Sequence, residues 1–226
     1  MSATIPHSVL TFLNELKSNN HRDWMQEHKK QYQDNEKALK KFYGEVEAAL
    51  NKHDEIEKVK IFRINRDIRF SNDKTPYNTH RSVSFSRAGA HRRGGYYLRI
   101  EPGNTLMAGG FFEPNPDDLL RIRKEFEMDA SPIRKILTEK EFDTAFGGFV
   151  QEYAVKTAPK GFSKDDPNID LIRLKSLFVT HAFTDAEVTS PHFKEQLVHH
   201  YELLRPFFDY MSEVLTTDLN GVSLIG

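Results

Sequence analysis

The chain has no cysteine, and this absence excludes disulfide bonds, thiolate nucleophiles and cysteine-bound metal sites. It has no run of about 18 apolar residues either, so the sequence predicts no transmembrane helix. No apolar signal core follows a basic segment near the first residues, so we expect a protein of the reducing cytoplasm. Walker phosphate loops, metal-binding triads and serine nucleophile elbows are also missing, so no metal and no cofactor is indicated.

Charged residues of both signs are plentiful, but they are distributed unevenly. The net charge of the 226 residues is −1. Residues 60–99 hold ten lysines and arginines against only Asp67 and Asp73, a net charge of +8 that leaves −9 for the remainder. A basic segment in an acidic body indicates attraction of an anion to one region. A solvated sheet edge has the same composition, because lysine and arginine keep exposed edges from pairing.

The most distinctive stretch runs from Arg63 to Tyr77. Its first half alternates as a strand does: one face takes Phe62, Ile64, Ile68 and Phe70, and the other takes Arg63, Asn65, Asp67 and Arg69. We predict a half-buried strand over 62–70 and a polar turn over 71–76. Arg66 falls in the middle of the apolar face. The sequence therefore predicts either a bulge at Asn65-Arg66 or a buried pair of Arg66 with Asp67 or Asp73.

Two interpretations of this stretch stay open. In the plainer one, the cations form a charged solvent face next to a hairpin. In the functional one, the arginines fork onto a phosphate or carboxylate, and the acids orient them or one acts as a general base. The candidate catalytic residues are Asp67 and Asp73. The candidate ligand-binding residues are Arg63, Arg66, Arg69, Lys74, Tyr77, Tyr97 and Lys160.

The segments on either side of this stretch are predicted from their apolar periodicity. We predict helices over 6–18 and, in two pieces, 21–53, and strands over 81–87, 96–101 and 105–112. Trp24, the only tryptophan, is predicted to lie in the core. The basic, glycine-rich loop 88–95 suits either a phosphate cradle or a hairpin loop. Gly109-Gly110 marks a bulge or a close approach to the backbone.

Capping signals mark the C-terminal half. Helices are predicted to begin at Asn115-Pro116, Ser131-Pro132, Thr138 (a capping box with Glu141), Asp166-Pro167, Thr184 (with Glu187) and Ser190-Pro191; strands are predicted over 149–157 and 177–183. Pro206 should break the last helix. The whole predicts one α+β domain over 1–226, with a helical part 6–53, a sheet 60–113 and a helical part 115–217. Its central antiparallel sheet of at least four strands is covered by the N- and C-terminal helices.

Together these motifs resemble the domain of unknown function 2461 family of conserved hypothetical proteins. The resemblance covers nearly the whole chain and is carried by Asn20-His-Arg-Asp-Trp24, the stretch from Arg63 to Tyr77, Gly95-Tyr-Tyr97, Gly109-Gly110 and Pro159-Lys-Gly-Phe162. It implies a single-domain protein, and it implies no activity, substrate or cofactor. Met25 stands where the family more often has phenylalanine. Asn78 stands where it tends to have lysine, which removes one positive charge from the candidate site.

Three functions are compatible with these features, and whether the chain is an enzyme stays open. The first is a site, with or without catalysis, for an anionic small molecule that is phosphorylated or carboxylated. The second is a non-catalytic module for an unknown protein partner, since no complete catalytic set is present. The third is single-stranded nucleic-acid binding through a basic sheet carrying Tyr77, Tyr96 and Tyr97. The near-neutral charge balance makes nucleic acid the least favoured of the three.

Overall fold

Apolar residues at three- and four-residue spacing produce the helices at the start of the chain. A computed structural model describes residues 3–225. Helix α1 spans His7–Ser18, α2 spans Arg22–Glu27 and α3 spans Lys29–Leu50. The predicted break between two helical pieces is confirmed, and it falls at His28. Trp24 is buried in α2 and stacks on the His28 ring at 4.0 Å, which confirms its place in the core.

A five-stranded antiparallel sheet occupies the middle of the chain, so the predicted α+β class is confirmed. Its strands are β1 Ile56–Ile61, β2 Arg81–Arg87, β3 Gly95–Ile100, β4 Thr105–Phe111 and β5 Leu177–Phe183. They lie in the order β1-β2-β3-β4-β5. The middle strands are neighbours because short turns join them, whereas β5 arrives after a long connection.

Side chains alternate across this sheet with the period of two that strands impose. One face is buried: its residues include Val83, Phe85, Leu98, Ile100, Met107, Leu177 and Val179. The opposite face is half-exposed and carries Ser84, Tyr97 and Ala108. The sheet therefore presents one face to the core and a second, more polar face outward.

The helices after β4 begin close to the predicted signals. They are α4 Pro116–Met128, α5 Ser131–Leu137, α6 Lys140–Phe146, α7 Ile169–Ile172, α8 Asp185–Val188, α9 Phe193–Leu203 and α10 Arg205–Thr216. Asn115 caps α4, and Thr184 and Glu187 form the predicted capping box. Pro206 lies in the first turn of α10, just after α9 ends, so the predicted break is confirmed. None of the helices within residues 3–225 has the length and apolarity of a membrane-spanning segment.

Three local predictions are wrong. Residues 62–70 form no strand, because the Asp67 carboxylate accepts a hydrogen bond from the Arg69 amide and bends the chain locally. The segment 149–157 is not a strand. It contains a turn in which the Ala154 amide donates a hydrogen bond to the Gln151 carbonyl at 3.0 Å. Thr138 does not open α6, since its hydroxyl donates back to the Arg134 carbonyl. Glu139 is the N-cap instead.

The chain forms two compact units. The first comprises Met1–Phe85, Tyr97–Met107 and Ala182–His199, and the second comprises Ser86–Tyr96, Ala108–His181 and His200–Gly226. In the first unit, the Phe193 ring stacks on Phe42 of α3 at 5.6 Å. In the second, Phe208 of α10 meets Tyr96 at 5.1 Å. That the chain is a single domain stays a prediction.

Candidate functional site

Residues 63–77, here called the polar loop, leave the sheet just after β1 and return just before β2. The two sides of the loop meet at a neck. There the Arg66 amide donates to the Pro76 carbonyl at 2.9 Å, and the Asn78 amide donates to the Ile64 carbonyl at 2.7 Å. Ile64 is buried and anchors this neck in the core. The motif that distinguishes the sequence is therefore a projecting loop with an ordered base.

Asn20, which follows α1, holds the neck from outside. Its side-chain amide donates to the Tyr77 carbonyl at 2.8 Å and accepts from the Tyr77 amide at 3.1 Å. The Asn20 side chain thus hydrogen-bonds both the backbone amide and the backbone carbonyl of Tyr77, as a neighbouring strand would. Two separate motifs of the sequence, at Asn20 and at Arg63–Tyr77, are brought together here. Tyr77 itself is half-buried.

Inside the loop, each aspartate is bonded to one arginine. Asp73 accepts from Arg66 at 2.6 Å, and Asp67 accepts from Nε and Nη2 of Arg69 at 2.9 and 2.6 Å. Arg66 also donates to the Thr75 carbonyl at 3.0 Å. Of the partners that the sequence proposed for Arg66, the structure selects Asp73. The prediction that this pair is buried is wrong, because the Asp73 side chain is 59% exposed. No bulge is needed, because the segment is not a strand.

Hydrogen bonds hold the pKa of both aspartates below the usual range. The Arg69 side chain lowers the pKa of Asp67 most, and the Thr75 amide lowers the pKa of Asp73 most. A carboxylate with a lowered pKa that is already bonded is a weak general base. In this geometry Asp67 and Asp73 each bind one arginine of the loop. A catalytic role for either stays a prediction without support from this arrangement.

Besides the exposed Arg69, two more cations and one aromatic ring of the loop face solvent. Among the described residues, the Arg63 guanidinium makes no hydrogen bond or ion pair, and Arg63 is exposed. Lys74 is exposed and donates to the Ile68 carbonyl at 3.0 Å. Phe70, predicted to be on a buried face, is 96% exposed at the tip. The loop thus presents positive charge next to an apolar ring.

The remaining predicted site residues lie outside the loop. Tyr97 of β3 is half-exposed, and its ring meets Phe62 at 6.1 Å. Lys160 is exposed in a turn between α6 and α7, within the second compact unit. The structure brings Arg63, Arg66, Arg69, Lys74 and Tyr77 together in one loop. Lys160 is not part of that loop.

A comparison with family models identifies the family of the chain. The model of the conserved hypothetical protein family DUF2461 matches residues 8–210, which include the polar loop and Asn20. The chain belongs to the DUF2461 family. No curated protein and no solved structure matches it significantly.

In this DUF2461 protein, a buried ion pair lies behind the polar loop, and the sequence analysis missed it. Arg81 of β2 donates to Glu36 of α3 at 2.5 and 2.8 Å, and it also donates to the Phe62 carbonyl at 2.8 Å. The Arg81 side chain is 5% exposed. One signal was available in the sequence. Arg81, Val83 and Phe85 lie two residues apart, so they share one face of the strand. Nothing in the sequence pointed to Glu36.

The basic, glycine-rich loop 88–95 of this DUF2461 protein is held by packing. A Cβ on Gly94 would lie 2.9 Å from the Phe208 ring, so this glycine is required by contact with α10. The Arg93 side chain pairs with Asp118, and its amide donates to the Ser212 hydroxyl at 2.9 Å. Of the two interpretations of this loop, the structure favours an anchored hairpin loop over a phosphate cradle.

A cleft of about 460 Å³ lies among α1, α2 and α3, and the residues that line it are Ser8, Glu27, His28, Lys30, Gln31, Asp34 and Asn35. The Asn35 amide is already bonded to the hydroxyl and carbonyl of Ser8. Within residues 3–225, no three His, Asp or Glu side chains lie close enough together to hold a metal ion.

Loss of the Asn20 side chain is expected to loosen the polar loop. In Asn20→Ala, both polar groups of Tyr77 lose their partner, so we expect a loss of about 1–2 kcal/mol in the free energy of unfolding. Hydrogen exchange of amides 65–77 should accelerate. Denaturant unfolding and hydrogen exchange measure these effects. The matched control is Asn19→Ala, which removes a side-chain amide that donates to the Glu15 carbonyl at 2.9 Å and, within the described residues, makes no hydrogen bond to the loop. Equal exchange in both variants would show that Asn20 does not hold the loop.

Proposed function

We propose that the polar loop is a binding site for an anionic group, either a phosphate or a carboxylate, of a ligand. The loop carries Arg63, Arg66, Arg69 and Lys74 against Asp67 and Asp73, which is a net charge of +2. Because the two aspartates are bonded within the loop, they hold their arginines in place. The positive charge left over lies mainly on Arg63 and Lys74. This surplus on an ordered loop is the observation that supports the proposal.

The guanidinium groups retain donors for a ligand. Arg69 uses Nε and Nη2 on Asp67, and its Nη1 makes no bond within the described residues. Arg66 uses Nη1 for its bonds to Asp73 and Thr75. Planar guanidinium donors match the oxygens of phosphate and carboxylate. The proposed role is therefore binding, with no reaction assigned to the site.

Anion binding is tested by titration calorimetry with tripolyphosphate and citrate at about 50 mM salt, where charge interactions are least screened. Arg63→Ala and Lys74→Ala should each weaken binding about tenfold, since a hydrogen bond to a charged group contributes about 1.5–3 kcal/mol. The control is Lys140→Ala, which removes an exposed lysine of α6 in the second unit. Absence of binding by every anion, or equal weakening in Lys140→Ala, would overturn the proposal.

The interaction module predicted from the sequence stays a prediction. Phe70 is the residue on which it would depend, because a ring exposed at a loop tip is the kind of side chain that anchors interfaces.

A further inference from the structure

Phe70 lies outside the core, at the tip of the polar loop. The Arg69 guanidinium lies 5.9 Å from the centre of its ring. The neck of the loop is held by the buried Ile64 and by the hydrogen bond that the Asn78 amide donates to the Ile64 carbonyl. An exposed ring beside cations offers a stacking surface and positive charge together.

A second aromatic surface adjoins the base of the loop. The rings of Phe62 and Tyr97 are 6.1 Å apart, although β2 lies between β1 and β3 in the sheet. They can meet because the β2 residues at the alternating positions of that face are the small serines Ser82, Ser84 and Ser86. The ammonium group of Lys60 lies 4.7 Å from the centre of the Phe62 ring. The outward face of the first unit therefore repeats the pairing of ring and cation that is found at the loop tip.

This repetition indicates the form of the ligand. Phe62 and Phe70 are eight residues apart, and cations at positions 60, 63, 69 and 74 lie before, between and after them. A compact anion would use the cations and leave the rings unused. A lipid surface would need several exposed apolar side chains. Ile64 is buried and Ile68 is half-buried, so Phe70 is the one fully exposed apolar side chain of the loop. A chain of phosphates carrying flat bases uses both kinds of group.

We propose that the polar loop and the adjoining outward sheet face bind single-stranded nucleic acid, with Phe70 stacking on a base and Arg63, Arg69 and Lys74 contacting phosphates. This inference rests on the proposed anion site and names its ligand class. Tyr96, which the sequence had assigned to such a surface, takes no part. It is buried against Tyr201 and Phe208. Phe62 and Phe70 take the place that the sequence analysis gave to Tyr96.

The first measurement is fluorescence anisotropy with a labelled oligothymidylate of about 12 nucleotides, a length within the range that single-strand binding folds cover. Three phosphate contacts predict a slope of about −2 for log affinity against log salt. Affinity should then fall about 20-fold between about 50 and 200 mM salt. A duplex of the same length should bind more weakly, because its bases are already stacked.

Variants separate stacking from charge. Phe70→Ala should weaken binding about tenfold and leave the salt slope unchanged. Arg63→Ala should remove one phosphate contact, so the fall in affinity over the same salt range becomes about sevenfold. Phe70→Trp should keep full affinity, and Leu120→Ala, which trims an exposed side chain of α4, should change nothing. Because Phe70 is almost fully exposed, its variants should unfold at the wild-type temperature.

The outcomes distinguish the inference from the proposal beneath it. If tripolyphosphate binds and the oligonucleotide binds no tighter, the ligand is a small anion, and only the nucleic-acid inference fails. If neither binds, both fail. If a polyglutamate peptide or anionic lipid vesicles bind more tightly than the oligonucleotide and depend on Phe70, the partner is an acidic protein or a membrane, and the inference is wrong. The inference is also wrong if the duplex binds as tightly as the single strand and Phe70→Ala does not weaken that binding.

Discussion

Replacing Gly110 with alanine is expected to lower the free energy of unfolding by about 3–5 kcal/mol. The added Cβ would meet the Leu177 carbonyl oxygen and would lie 2.5 Å from Cα of Phe178. These are backbone atoms of the neighbouring strand β5, so no side-chain rotation relieves the collision. Gly110 also has φ +141°, a conformation that residues with a side chain rarely adopt. Urea unfolding of wild type and variant measures the loss.

Gly103→Ala is the matched control for Gly110→Ala. Gly103 also has a positive φ, of +69°, but a Cβ there would meet nothing within 4 Å. Its cost should be about 1 kcal/mol, from the left-handed conformation alone. If the two variants lose the same stability, the close approach of β5 to Gly110 contributes nothing, and the explanation from packing is wrong.

Removing Arg81 is expected to cost about 3–5 kcal/mol, because Arg81→Leu leaves the Glu36 carboxylate, which is only 15% exposed, without its partner. The Phe62 carbonyl loses its donor as well. Burial raises the pKa of the neighbouring Tyr43 phenol, so this region holds its polar groups away from water. Urea unfolding measures the effect.

The double variant Arg81→Leu/Glu36→Leu tests the cause of that loss. It removes both charges, so we expect a smaller cost of about 1–2 kcal/mol, mostly from the Phe62 carbonyl. Lys124→Ala breaks a more exposed pair with Glu127 and should change stability by no more than about 1 kcal/mol. If the double variant is as unstable as Arg81→Leu, the unpaired Glu36 carboxylate is not the cause of the lost stability.

Elements that depend on near neighbours in sequence were predictable. The strand at 81–87 matches the alternation of its own residues, and the strand at 177–183 has the predicted bounds. The capping box at Thr184 and Glu187 and the break at Pro206 follow from side chains three residues apart or fewer and from the missing amide of proline. Gly109-Gly110 was predicted to mark a bulge or a close approach, and the structure shows that β5 and Leu204 supply the approach.

The polar loop shows where the same reasoning fails. Its alternation predicts a strand, yet the Asp67 carboxylate bonds the Arg69 amide and offers the backbone another partner. The pattern also has Phe70 on a buried face, although no surface is available there to bury it. Alternation reports which side chains share a face. It does not report whether a second layer covers that face.

For this DUF2461 protein, the sequence alone determined the α+β class, most helix and strand positions, and the grouping of four cations and two aspartates in one segment. Only the tertiary structure decided that the segment is a loop, that its aspartates hold arginines, and that Asn20 and Arg81 fasten its base. Those contacts join residues 45 and 57 positions apart, Glu36 with Arg81 and Asn20 with Tyr77. Local periodicity carries no information about such distant partners, because folding alone brings them within hydrogen-bonding distance.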